Sequence, residues 1–269
     1  MTFTDDLGYT LNFDKKPKRI ISLVPSITET LYDLNVEEFI VGVTKFCVHP
    51  VHFKHTKAIV GGTKTIKLEK IKELQPDIVF CNKEENTPEI VAQLQEFTQV
   101  YVTKISTIED SKRMIANFGV LLNRRTEADL LNRKIDLKLE AFKTFIADFE
   151  IKKVAYFIWY NPWMVAANST YINTLLSLNK FDNIYSNLEQ YPEINPKRIR
   201  HDGDPEVLFF SSEPFPFKDK HAFEISEYTN RSSAVFVDGE MFSWFGSRLI
   251  KAFDYFKTVR NRIDQGSSF

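Results

Sequence analysis

Several features that would assign a chain to a class are scarce or missing in these 269 residues. Only two cysteines occur, Cys47 and Cys81, so the fold is not stapled by disulfides and the redox compartment stays open. Glycine (9) and proline (11) are both sparse, which argues against long disordered or low-complexity segments. No stretch reaches the roughly 18 uninterrupted apolar residues of a membrane span. The opening residues 1–8 carry Asp5 and Asp6 where a secretory signal needs a basic and then an apolar region. As written the chain is therefore expected to be cytoplasmic, or periplasmic if a leader lies upstream. Charge of one sign is also lacking: 35 Lys and Arg against 36 Asp and Glu leave a net charge of -1, which gives no field for nucleic acid or for an anionic membrane. No nucleic-acid partner and no membrane insertion are expected. What is abundant is aromatic: 24 Phe, with 14% of residues aromatic, exceed the needs of a core this size and suggest that some rings serve a binding surface.

Short β-branched runs at residues 19–25, 39–43, 58–62, 78–81 and 99–103 alternate with helical patterns. The first helix follows Ser26, Ile27, Thr28 and Glu29, which have the spacing of a capping box. Another starts at Thr87 and Pro88. Strands alternating with helices at these spacings predict a parallel sheet covered by helices. Residues 107–149 then hold no proline and one glycine, Gly119. Ala128, Leu131, Ile135, Leu139, Phe142, Ile146 and Phe149 recur at steps of three and four there, the face of one long helix. The α/β pattern resumes at 154–159 and runs through strands at 207–210 and 234–237 to a terminal helix near 247–261. Three segments are expected: an N-terminal α/β lobe over 1–106, a connecting helical segment over 107–150 and a C-terminal α/β lobe over 151–269. Pro76, Asp77, Ile78, Val79 and Phe80 are echoed by Pro205, Glu206, Val207, Leu208 and Phe209, and each strand is followed by acids and a turn. Ligands in open parallel sheets sit beyond the carboxyl ends of the strands.

One cluster is visible without reference to any family. Cys47, His49, His52 and His55 stand within nine residues in the loop after the second strand. Thiolate and imidazole suit zinc, copper or iron, or an axial position on a metal macrocycle, so Cys47 and His49 are the candidate metal ligands. Their spacing matches no standard zinc pattern, and a buried thiol can equally be a small apolar group.

The chain resembles class III periplasmic binding proteins, the helical-backbone metal receptor type, and within them the cobalamin and ferric-siderophore branch. The resemblance rests on Asp6, Leu7 and Gly8, residues 17–26 with Thr28 and Glu29, residues 41–43, Val60 and Gly61, residues 68–71 and 74–79, and the single long helix. It implies two Rossmann-like lobes with parallel-rich sheets joined by one long backbone helix, a metal chelate held between the lobes, no catalysis and no covalently bound cofactor. It also implies docking on an ABC permease through one acid on each lobe. Glu69 falls on the first of these positions, but Lys197 stands at the second, a reversal of charge. A monomer is expected.

In such a fold Trp159, Tyr160 and Trp163, then Phe215 and Phe217, then Phe242, Trp244 and Phe245 fall in loops at the crevice, and flat rings suit a corrin, a porphyrin-like chelate or an aromatic siderophore. Phe215, Phe217 and Phe245 are read as packing, and Trp159, Trp163 and Trp244 as ligand contacts. Lys64, after Gly61 and Gly62, can meet a carboxylate or phosphate. Glu84, Glu213 and Glu240 can accept from ligand amides or bind a hard cation, and Arg248 can pair with one of them. Glu85 reads as a solvated loop charge. The expected function is thus a binding protein for a corrinoid or ferric chelate. The alternatives are a cytoplasmic carrier or sensor of that ligand class and a metal-dependent hydrolase using Cys47, His49 and Glu84.

Overall fold

The computed structural model describes residues 2–265, so Met1 and residues 266–269 of the outer expected segments lie outside it. The elements in chain order are β1 (Thr2–Thr4), β2 (Thr10–Asn12), β3 (Ile20–Ser22), α1 (Pro25–Asp33), β4 (Ile40–Val43), α2 (Phe53–Thr56), β5 (Ala58–Ile59), α3 (Leu68–Glu73), β6 (Ile78–Asn82), α4 (Pro88–Gln95), β7 (Gln99–Thr103), α5 (Ile108–Leu121) and α6 (Arg125–Ile146). After these come β8 (Lys152–Trp159), β9 (Met164–Val165), α7 (Tyr171–Leu178), β10 (Phe181–Asn183), α8 (Ile199–Asp202), β11 (Val207–Ser211), α9 (Asp219–Ser226), β12 (Ser233–Val237), α10 (Gly239–Ser243) and α11 (Leu249–Asp264). The chain forms two compact units. Of the described residues, unit 1 holds 2–136 and 245–248, and unit 2 holds 137–244 and 249–265.

Unit 1 is built on a parallel sheet in the order β5-β4-β3-β6-β7. Strands β3, β4, β6 and β7 are almost wholly buried, as parallel strands covered on both faces must be, and this is why they read as unbroken apolar runs; the edge strand β5 is half-buried. Ile21, Val79, Val100 and Val102 meet Ile71, Ile90 and Leu94 in one apolar cluster. The β1–β2 hairpin is tied on through Asp5, whose carboxylate accepts from the N–H groups of Leu7, Tyr9 and Val102. Helix α1 departs from the expected capping box: it starts at Pro25, after Val24, with no side-chain cap. The helical stretch from 107 is broken in two, because Asn123 adopts φ 58°, a left-handed conformation that Asn tolerates. Helix α5 opens with a capping box between Thr107 and Asp110, and α6 spans 22 residues, a length of about 33 Å.

The short stretch 245–248 belongs to unit 1 although both neighbouring stretches belong to unit 2. Its Gly246 has φ +84°, and a Cβ there would fall 2.0 Å from Thr30 Oγ1, so only glycine fits. The Gly246 N–H donates to Ser111 Oγ and the Ser247 N–H to Thr30 Oγ1. Arg248 then forms a buried ion pair with Glu29, Nε to Oε2 2.8 Å.

Unit 2 repeats the plan, with parallel order β10-β8-β11-β12 and β9 antiparallel to β8. Its core is aromatic: Phe157 stacks on Phe210 at 5.2 Å, and Phe242 sits against Tyr156, Phe209 and Phe256. Arg260 of α11 is fully buried and donates to the carbonyls of Asn179 and Glu150.

Candidate functional site

In each unit the candidate residues gather on the loops at the carboxyl ends of the strands. In unit 1 these loops are stitched together. Asn82 Oδ1 accepts from the Glu84 and Glu85 N–H groups, Asn86 Nδ2 donates to the Thr63 carbonyl, and Lys64 Nζ donates to the Glu84 carbonyl. Lys64 and Glu84, expected as ligand groups, are thus adjacent and exposed. Glu85 is less solvated than expected, and burial pushes its carboxyl upward against the pull of Lys64 and the Thr63 hydroxyl.

Cys47 is turned into unit 1, 1% exposed, with its sulfur 3.1 Å from Thr28 Oγ1 and 3.2 Å from Thr44 Oγ1. Burial pushes the thiol up in spite of both hydroxyls, the reverse of an activated nucleophile. The histidines of this loop separate. His49 is half-buried, while His52 Nε2 lies 2.6 Å from Glu37 Oε1, with its ring edge-on to Tyr32. Among the described residues no three His, Cys, Asp or Glu side chains stand together as a metal site.

In unit 2 the three tryptophans part company. Trp159, at the end of β8, is 39% exposed and meets Phe215 edge-on at 5.8 Å. Trp163 is 7% exposed, stacks on Phe217 within the core and donates Nε1–H to Glu224. Trp244 is also buried, and its Nε1–H and the Ser243 hydroxyl both donate to Glu213 Oε1. Phe242 is buried completely, its faces given to the core rather than to a surface. Phe217 and Phe245 are buried as packing residues. Glu240 is half-buried at the first turn of α10. Arg248, expected to pair with a crevice acid, pairs with Glu29.

Sequence reasoning missed His221. Its Nδ1 accepts from the Lys218 N–H at the start of α9, and its ring packs against Tyr160, Phe215 and Phe217. Burial and the Lys220 ammonium lower its pKa, while Glu224 opposes the shift. A lowered folded value means that the unfolded chain takes up the proton first, near about 6.5. Stability is then full above that pH and falls as the pH drops through the interval down to the folded value, by at most about 1.4 kcal/mol per pH unit. His221→Asn, whose Oδ1 can still accept from the Lys218 N–H, is expected to flatten this part of a urea-midpoint profile measured from pH 8 to 5 by tryptophan fluorescence. An unchanged slope would exclude His221 as its source.

A second residue missed was Phe46, 49% exposed on the loop after β4 with Lys45 Nζ 4.9 Å above its ring. A large apolar residue in a polar loop was the available signal.

Glu69 is exposed at the first turn of α3, 3.0 Å from Lys72, and Lys197 is exposed in a short 3-10 turn before α8.

Two parallel α/β units with polar and aromatic loops at their strand ends define a ligand-binding protein of the two-unit α/β class. Residues 20–233 match the family described as periplasmic binding protein, and the chain belongs to that family. It is therefore a binding protein and not an enzyme, and the hydrolase alternative falls. Its relatives include an uncharacterized ABC transporter substrate-binding lipoprotein, YvrC, of Bacillus subtilis, 28% identical over 158 residues. That alignment covers 56% of this chain and 50% of the relative, so the chain spans about half the length of that protein. A vitamin B12-binding protein of Vibrio parahaemolyticus is 24% identical over 72% of this chain and 70% of its own length. Among solved structures, a periplasmic heme binding protein from Pseudomonas aeruginosa superposes with a TM-score of 0.78 at 19% identity, covering 90% of this chain and 92% of that one. Membership of a periplasmic family gives the cytoplasmic expectation no support. No helix of the described residues is long and apolar enough to cross a membrane.

Proposed function

We propose that this protein captures a metal chelate of the corrinoid or ferric class, outside the cytoplasmic membrane, and delivers it to an ABC-type permease. The observation that carries this reading is Trp159: an indole more than one-third exposed at the carboxyl end of a parallel strand, backed by a ring cluster that holds it in place. A rigid, exposed ring of this kind gains by stacking on a flat conjugated ligand and loses little entropy in doing so. Tyr160 extends the same surface. The relatives that bind vitamin B12 and heme support the ligand class. In this reading Glu69 is the permease contact of unit 1, and Lys197 gives unit 2 a socket preference of the opposite sign.

Titration of tryptophan fluorescence with cyanocobalamin, cobinamide, haem and a ferric catecholate tests the proposal. One of them is expected to quench saturably at one to one. Trp159→Ala should weaken that binding by roughly three- to tenfold, the worth of one aromatic stack. If none binds below about 100 μM, far weaker than a scavenging receptor requires, the reading fails.

A further inference from the structure

We infer that unit 1 engages its ligand through peripheral anionic groups, carboxylates foremost, so that the chelate is an acid-bearing one rather than an uncharged amide-bearing one; this rests on the reading above. Three successive carboxyl-end loops each present an exposed lysine: Lys45 after β4, Lys64 after β5 and Lys83 after β6. The first two are held rather than free. Lys45 Nζ lies over the Phe46 ring at 4.9 Å. A Cβ on Gly62 would meet Phe46 Cε2 at 3.1 Å and Lys45 Cε at 3.7 Å, so both side chains lie against the bare backbone of the β5 loop. Lys64, two residues further on, reaches the Glu84 carbonyl beside Lys83. Lys45, Phe46, Lys64 and Lys83 therefore make one continuous rim, with an apolar ring for a flat face and ammonium groups for what hangs from its edge.

The acids of this rim are Glu84 and Glu85, and burial disfavours the charged form of Glu85, so the balance is positive in a chain whose net charge is -1. Elsewhere on the unit the charges cancel. Lys104, after β7, shares a cavity of about 380 Å³ with Asp6, Asp110 and Arg113, where two acids face two bases. In unit 2 the loops after β11 and β12 place Glu213, Asp238 and Glu240 close to the strand ends. The basic rim is thus a local feature of the β4, β5 and β6 loops. Ammonium groups as strongly hydrated point charges suit scattered carboxylates better than one bidentate partner.

Matched ligands separate charge from shape. Dicyanocobyrinic acid and dicyanocobinamide share ring and metal but differ in carrying carboxylates or neutral amides, and haemin and its dimethyl ester differ in carrying carboxylates or neutral esters. Dissociation constants would be measured by isothermal titration calorimetry at 50 and 300 mM KCl for the full chain and for the Lys45→Gln, Lys64→Gln, Lys83→Gln triple variant, with thermal midpoints confirming that the variant is folded. In at least one pair the acid is expected to bind tenfold or more tightly than its uncharged partner. High salt should weaken only the acid, and the triple variant should bring the two within about twofold. Equal or tighter binding of the uncharged members, or a preference that survives in the variant, overturns the inference. Cyanocobalamin binding without either acid would overturn it and leave the receptor reading standing. Failure of every chelate would remove both.

Discussion

Arg248→Met is expected to destabilise unit 1 by about 3–5 kcal/mol, the cost of removing one partner from a buried ion pair. The side chains of Arg248 and Glu29 are 4% and 6% exposed, so water cannot take over the guanidinium's role when it is lost. Glu29 sits in mid-helix on α1 and cannot turn outward without disturbing a helix that is buried along most of its length. The double variant Glu29→Gln, Arg248→Met should recover part of the loss, since the uncompensated carboxylate is then gone. Hydrogen exchange of the β6 and β7 amides against urea at pH 7 measures this. Tryptophan fluorescence is a poor probe for it, because Trp159, Trp163 and Trp244 all belong to unit 2. A change below about 1 kcal/mol, the worth of a surface pair, would show that the pair is effectively solvated.

Arg260→Met should have a comparable effect on unit 2, about 3 kcal/mol or more. The guanidinium is fully buried and satisfies three partners: the Asn179 carbonyl at 3.2 Å, the Glu150 carbonyl, and Asp264, whose Oδ2 is 2.8 Å from Nε. Its carbon lies 4.8 Å from the centroid of the Phe181 ring and 5.4 Å from that of Phe149. Methionine can fill much of the volume but leaves two carbonyls without these donors. With an m-value of about 2 kcal/mol/M, the urea midpoint read by tryptophan should fall by about 1.5 M. Lysine should rescue little, because a point charge cannot serve the fork of donors. A full rescue by Lys would show that charge alone matters there.

The strands were legible because a parallel strand covered on both faces must be apolar throughout, so residues 78–81 and 99–103 announce themselves. What hid from view was set by partners far along the chain. Ser26 to Glu29 has the spacing of a helix cap, yet Glu29 is taken by a residue 219 positions away, a constraint that no local window contains. The aromatic excess pointed to the loops that carry the rings but not to which ring faces outward. Trp163 and Trp244 bury their indoles because Glu224 and Glu213 accept their N–H groups, whereas Trp159 ends its strand on the exposed side. The three-residue strands β1 and β2 and the two-residue β9 are too short to show a period, and the break at Asn123 depends on a single left-handed residue.

The return of residues 245–248 into unit 1 also governs the order of events during synthesis. Glu29 and Ser111 leave the ribosome early, but Arg248 and Gly246, which meet them, follow only after every strand of the second sheet has been translated. Unit 1 must therefore wait with a polar, half-finished interior through the making of its neighbour. A nascent chain halted after β12 would carry a sheet of correct order and a buried carboxylate with no guanidinium to meet it, a state that protease or chaperone could distinguish from the finished protein.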